Sequence, residues 1–219
     1  MAFPTTPILD NCERANEGPP PSASWVNDPE GWGSDGFVIA SQRFSSFAGF
    51  PQAGWAPSGA DQYGPDCESR IQITTIPTVD THAIALQLRA SGTGAGRDGY
   101  QLAWKRLTAA TDELYIQVYT NAVFTTLGSV FQLEMTNDAW MGFEIIGTTL
   151  KGYTSTDGTS WTERISRTDS TYTNAGRMEM YADRWGTPVT LLKNFGGGTI
   201  VGSQVGQYVT ARVGEGSAW

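Results

Sequence analysis

The chain is short of charge, of histidine and of cysteine. Only 16% of its 219 residues are Asp, Glu, Lys or Arg; one is histidine and two are cysteine. Each shortage removes a class of function. A single histidine, His82, cannot build a histidine-rich metal site, and no G-x-S-x-G elbow supplies a nucleophile to complete a triad with it. Cys12 and Cys67 lie far apart without C-x-x-C spacing, which excludes a zinc site or redox pair. They are expected to stay free thiols, as a reducing compartment keeps them. Lys and Arg total 14 against 22 Asp and Glu, a net charge of −8. Such a balance excludes a cationic stripe for nucleic acid and disfavours an anionic membrane surface. No apolar run approaches membrane-spanning length, and residues 1–6 lack the basic and apolar regions of a secretory signal.

Glycine is plentiful, at 26 residues, and aromatics make up 11%. No amphipathic helix is readable. Short alternating runs recur between turn clusters, the pattern of a two-sheet antiparallel β-sandwich. Strands are expected over residues 36–40, 69–74, 83–89, 99–106, 114–119, 124–127, 131–135, 140–146, 149–155, 178–181 and 189–194. Asp157-Gly158 marks a hairpin. A rival helix over 102–114, favoured by Ala109, Ala110 and Glu113, is set aside for a hairpin turning at 108–112. Residues 27–66, rich in Gly, Pro and Ser, are read as long rim loops holding one strand. The length suits a single all-β domain, taken as 1–202. Residues 203–219 form an added edge strand or docking arm presenting Tyr208, Arg212 and Trp219.

Ile8-Leu9-Asp10-Asn11-Cys12-Glu13-Arg14-Ala15-Asn16-Glu17-Gly18, leading through three prolines to Trp25, has the form L-D-x-F-x-R-A-x-G…W. Gly99-Tyr100-Gln101-Leu102, the Ile145-Ile146-Gly147 hairpin and the Asp169…Gly176 run add to it, with Leu191-Leu192-Lys193-Asn194-Phe195-Gly196-Gly197 as a closing strand. Together these resemble concanavalin A-like (laminin-G-like) jelly-roll domains, many of which occur in phage tail and virion proteins. The resemblance implies a jelly roll with first and last strands side by side. It also implies a non-enzymatic virion surface protein made in the host bacterial cytoplasm, whose partners are other virion proteins, further copies of itself as a homo-oligomer, or a host-surface glycan. Cys12 stands where Phe is usual, and Lys193 where Asp is often found.

The acid pattern of hydrolases on this fold, E-x-D-x-x-E, is absent. Asp66-Cys67-Glu68 and Asp28-Pro29-Glu30 are the nearest substitutes and read as solvated loop acids. A glycan-degrading enzyme and a secreted carbohydrate-binding module are therefore the alternative functions. No cofactor is expected; a calcium ion, which needs six to eight oxygens, would have to draw on Asp10, Asn27, Asp28, Asp61 and Asp66. Gly92–Gly96 lacks the Lys-Ser/Thr sequel of a phosphate loop. Alternation turns Tyr115, Gln117 and Tyr119 outward together, as it does Arg177, Glu179 and Tyr181, and Gln87 with Arg89. Such a face suits a sugar or a protein partner, and equally an ordinary β surface. Trp32, Trp55, Tyr63 and Trp185 are a second, loop-borne aromatic platform or plugs of the sandwich end.

Overall fold

A computed structural model describes residues 2–27, 36–46, 51–59, 62–183 and 190–202. Among the described residues sixteen strands follow in chain order: β1 (Ile8–Asp10), β2 (Trp25–Asn27), β3 (Phe37–Ala40), β4 (Arg43–Ser46), β5 (Gln52–Trp55), β6 (Cys67–Thr75), β7 (Ala83–Ser91), β8 (Asp98–Lys105), β9 (Glu113–Thr120), β10 (Val123–Thr126), β11 (Phe131–Gln132), β12 (Ala139–Ile146), β13 (Thr149–Ser155), β14 (Thr162–Thr168), β15 (Arg177–Ala182) and β16 (Leu191–Thr199). They build two antiparallel sheets. The first runs β14-β13-β12-β6-β16-β4-β3, with β1 beside β16; the second runs β10-β9-β8-β7-β15-β5-β2, with β11 beside β9. Inward residues of both sheets, such as Ile71, Ile73, Ile84, Leu86, Leu102, Trp104, Ile116, Met141, Phe143, Met178 and Met180, are fully buried and form one core.

The long alternating runs fold as expected, and 102–114 is the β8–β9 hairpin rather than a helix. First and last strands do lie together, Ile8 opposite Gly196 and Asp10 opposite Phe195. Two strands correct the reading of 27–66 as mostly loop, β4 and β5, which are short but paired, and β2 just before that segment is a third that the alternation does not show. The polar β14, with Ile165 its buried residue, was likewise not expected.

The opening motif is a hydrogen-bonded knot. Asp10 Oδ1 accepts from the Cys12 N–H at 2.9 Å and Arg14 Nη1 at 2.6 Å; Oδ2 accepts from Arg14 Nη2 at 2.9 Å and Trp25 Nε1 at 2.8 Å. Arg14 Nη2 also donates to the Pro21 carbonyl and its Nε to Glu17. The spacing of Asp, Arg and Trp is thus set by one buried carboxylate that three segments share. Trp25 carries the knot into the core, edge-on to Phe44, Trp55 and Phe195.

On the outer face of the first sheet the segment before β1 lies across the strands. Phe3 stacks on Tyr153 with ring centroids 4.3 Å apart and meets Trp161 edge-on. Gly142 makes room for it, since a Cβ there would come within 2.4 Å of the Phe3 ring. The Thr5 and Thr6 N–H groups and the Thr6 hydroxyl all donate to Glu68 Oε1. Glu68 sits directly opposite Glu144 on β12, and like charges so placed repel. Burial first, and Glu68 with it, push the Glu144 carboxyl above its ordinary range against the hydrogen bond from Tyr153. A carboxyl raised in the folded state costs stability as pH climbs from the unfolded value through the folded one. Glu144→Gln is therefore expected to match the parent in acid and to exceed it at pH 8. Urea unfolding at several pH values checks this; parallel stability curves would contradict it.

Candidate functional site

The outer face of the second sheet follows from strict alternation. Ile84, Leu86 and Leu88 point into the core from β7, Leu102 and Trp104 from β8, Leu114 and Ile116 from β9, and Met178 and Met180 from β15. Their neighbours must therefore stand outside. Register arranges these neighbours in rows across the strands. In one, Tyr181, Ala85, Ala103 and Tyr115 are consecutive cross-strand partners. In the next, Glu179, Gln87, Gln101, Gln117 and Thr126 are partners in turn.

The second row is a continuous chain of amides. Gln52 Nε2 donates to Gln87 Oε1 at 2.9 Å, Gln87 to Gln101 at 3.3 Å, Gln101 to Gln117 at 2.7 Å, and Gln117 to the Thr126 hydroxyl at 3.2 Å. Gln52 joins from β5 because the residue facing Glu179 there is Gly54; with no side chain in the way, its amide also reaches Glu179 Oε2 at 2.7 Å. Gln52, Gln87 and Glu179 are buried, whereas Gln101 and Gln117 are half-buried and Thr126 is exposed. A glutamine amide has two N–H donors and two acceptor lone pairs. Gln101 and Gln117 each spend one of each in the chain and keep one of each.

Two ion pairs lie on this face. Arg177 Nε donates to Glu179 Oε1 at 2.6 Å, and Lys105 meets Glu113 at 2.7 Å. Asp183 accepts from the Tyr181 hydroxyl and from the Ala83 N–H. Burial, with the Glu113 and Asp183 charges, pushes the Tyr115 phenol up to about 12. Tyr181 is raised further by burial, Asp183 and Tyr115. Both phenols are therefore neutral, and the Tyr181 hydroxyl is given to Asp183.

No family model matches the chain, and no curated protein matches it. Solved structures do. The carbohydrate-binding module CBM66 from Bacillus subtilis aligns at 14% identity and TM-score 0.54, over 80% of this chain and 94% of that one. The exoplasmic/lumenal domain of VIP36, in its Ca2+/Man2-bound form, aligns at 11% identity and TM-score 0.63, over 89% and 87%. A legume lectin-like domain from Entamoeba histolytica aligns at 7% identity and TM-score 0.56, over 81% and 90%. The fold is a concanavalin A-like jelly roll.

On this concanavalin A-like frame the sequence-derived residues divide. Tyr115, Gln117, Arg177 and Tyr181 come together on the outer face. Tyr119 shares their side of β9 but is fully buried, stacked on Phe124 at 5.0 Å with the Arg97 guanidinium over both rings. Arg89 is not on the face at all. A bulge in β7 puts it at φ 52, and its side chain turns to the end of the sandwich. There it donates to the carbonyls of Pro65 at 2.8 Å, Tyr172 at 2.7 Å and Gly147 at 2.9 Å. Trp55 lies on β5, not in a loop, and lines a separate cleft of about 740 Å³ with Asp10, Arg14 and Ser24. Tyr63 packs against the core. Trp32, Trp185, Tyr208, Arg212 and Trp219 lie outside the described residues. Gln52 and Gln101 are the members that alternation did not single out; the signal was glutamine at the same outward position on adjacent strands.

Two of the five residues named for calcium, Asp10 and Asp66, are engaged by other groups. Both oxygens of Asp10 are occupied by Arg14, Trp25 and the Cys12 N–H. Asp66 accepts the Gly147 N–H and lies 3.9 Å from the Arg89 guanidinium, while Asp28 and Asp61 lie outside the described residues. Lys193 meets Glu13 at 3.6 Å instead. Among the described residues no three His, Cys, Asp or Glu side chains are grouped to hold a metal ion. The two thiols are buried and free. Burial pushes each up to about 12.

Proposed function

We propose that this chain binds carbohydrate without hydrolysing it, on the outer face of its second sheet, as a surface component of a phage virion. The observation that carries the binding is the row in which Tyr181 and Tyr115 flank Ala85 and Ala103, with a row of amides alongside. Sugar rings stack on aromatic faces, and amides that keep a free donor and acceptor bond hydroxyls. The solved neighbours, a carbohydrate-binding module and a Man2-bound lumenal domain, support the same chemistry. Retention rather than cleavage is supported by the carboxylates of the face. Glycoside hydrolysis needs one acid free to protonate the leaving oxygen, and here Glu179, Glu113 and Asp183 are each engaged by a neighbouring cation or donor. The virion setting rests on the opening motif, with its resemblance to domains of phage tail and virion proteins.

Tyr115→Ala and Tyr181→Ala are expected to weaken binding of a glycan found on a printed array at least tenfold each, about 1.4 kcal/mol. Unchanged affinity in both would sink the assignment of the face. Mass spectrometry of purified virions tests the setting, and absence from the particle ends it. A secreted carbohydrate-binding module is the second reading, favoured by the fit over 94% of CBM66. A glycosidase encoded beside this chain would decide for it.

A further inference from the structure

The charge pattern of the same face goes further than binding as such. Arg177 is committed to Glu179, and its Nη2 also donates to the Gly92 carbonyl at 2.9 Å. Lys105 is committed to Glu113 and lies over the Tyr115 ring, 5.8 Å from its centroid. Arg97 covers the rings of Tyr119 and Phe124. Among the described residues of this face, then, every cation already has a carboxylate or an aromatic ring. Among the described residues Asp183 has neutral donors, the Tyr181 hydroxyl and the Ala83 N–H. The two arginine- and lysine-held pairs cancel, and Arg97 balances Asp183, so these residues give the face no net charge on a chain of net charge −8.

What remains unspent on the face is uncharged. Gln101 and Gln117 each keep an N–H and a lone pair, and both are half-buried, within reach of a ligand lying on the sheet. Tyr115 offers a neutral phenol, and Tyr181 offers its ring, its hydroxyl being given to Asp183. Among the described residues of the face a carboxylate or sulfate on a sugar would find no free cation, and it would have to leave water. Burying an unpaired charge is expensive. A hydroxyl loses little, because it can donate to an amide oxygen and accept from the same amide nitrogen.

We infer that the outer face of the second sheet selects uncharged, hydroxyl-rich glycans and rejects acidic ones, with Gln101 and Gln117 as the residues that determine this. The inference rests on the proposal that the face binds carbohydrate at all. The amide chain gives the selection its rigidity. Each glutamine is held by the next, from Gln52 through to Thr126, so no side chain is at liberty to swing away and leave a cation exposed.

The test is a titration of the full chain with neutral gluco- and manno-oligosaccharides and with oligogalacturonate and sulfated oligosaccharides of equal length, at 0.05 and 0.5 M NaCl (about 14 and 4 Å of screening length). Binding confined to a neutral series, with a Kd changing less than twofold between the two salts, is the expected result. Gln101→Glu should weaken that binding at least tenfold. Gln117→Lys, which supplies the missing cation at the open end of the chain of amides, should gain measurable binding to oligogalacturonate, a gain that misfolding cannot mimic. Tight, salt-sensitive binding of an acidic series by the parent would overturn the selectivity while leaving carbohydrate binding in place. Binding of neither series would overturn both.

Discussion

Replacing Asp10 with alanine is expected to destabilise the chain by about 3 kcal/mol, near the lower end of what breaking a buried ion pair costs. For a domain of this length that is a fall in Tm of about 6–12 °C. The carboxylate accepts four hydrogen bonds, two of them the bidentate, charge-assisted pair from Arg14. Without it the Trp25 indole N–H and the Cys12 N–H are stranded in the interior, where an unmet donor costs about 1–3 kcal/mol. Arg14 keeps some access to water, its side chain being 30% exposed, which is why the lower end applies. Asp10→Asn should lose less, since the amide oxygen still accepts. Burial works against ionising Asp10, but the bonds from Arg14, Trp25 and Cys12 overcome it and hold the carboxyl below 3.8. A depressed carboxyl stabilises above its unfolded pKa and ceases to as pH falls through the folded one. The difference between parent and Asp10→Asn should thus shrink in strong acid, as calorimetry at neutral pH and near pH 2 would show. A constant difference would argue that the charge is irrelevant.

Arg89→Met is expected to be at least as damaging, about 3–5 kcal/mol. The guanidinium is 2% exposed, and its three carbonyl partners come from three connections: the segment before β6, the β12–β13 turn and the segment before β15. Methionine fills the space but satisfies none of them. Lysine should not rescue, because one ammonium cannot reproduce a planar fork spread over three directions. Hydrogen exchange should locate the damage in residues 62–66, 147–148 and 169–174 before the sheets themselves loosen. Uniform loosening of both sheets would show that Arg89 does not act through those connections.

The same arginine shows where reading a sequence by alternation stops working. Ala83 to Leu88 alternate without fault, and both faces of β7 were legible from that. At Arg89 the backbone takes a left-handed conformation inside a bulge, and the period of two no longer says where the side chain points. Tyr119 fails differently: its side of the strand was correct, but Phe124 and Arg97 roof it over, and only tertiary structure decides that. The strand at Gln52–Trp55 was invisible because Ala53 and Gly54 carry no strand signal; it exists because β15 and β2 pair with it on either side. Pairing across strands is also what turns Gln87, Gln101 and Gln117 into one row. Each is ordinary in its own strand, and register alone makes them neighbours. The Asp10–Arg14–Trp25 knot was legible as a pattern, yet its meaning as one shared carboxylate was not, since nothing in the spacing says which atoms meet.

The two thiols, sealed in the interior and held near pKa 12, make the chain chemically blank toward maleimides and iodoacetamides at neutral pH. A cysteine introduced at Val123, 68% exposed on β10, would be the sole reactive handle. It lies on the strand that receives the end of the amide chain at Thr126. A dye attached there would sit beside the face proposed for carbohydrate, on a protein from which neither native cysteine has had to be removed.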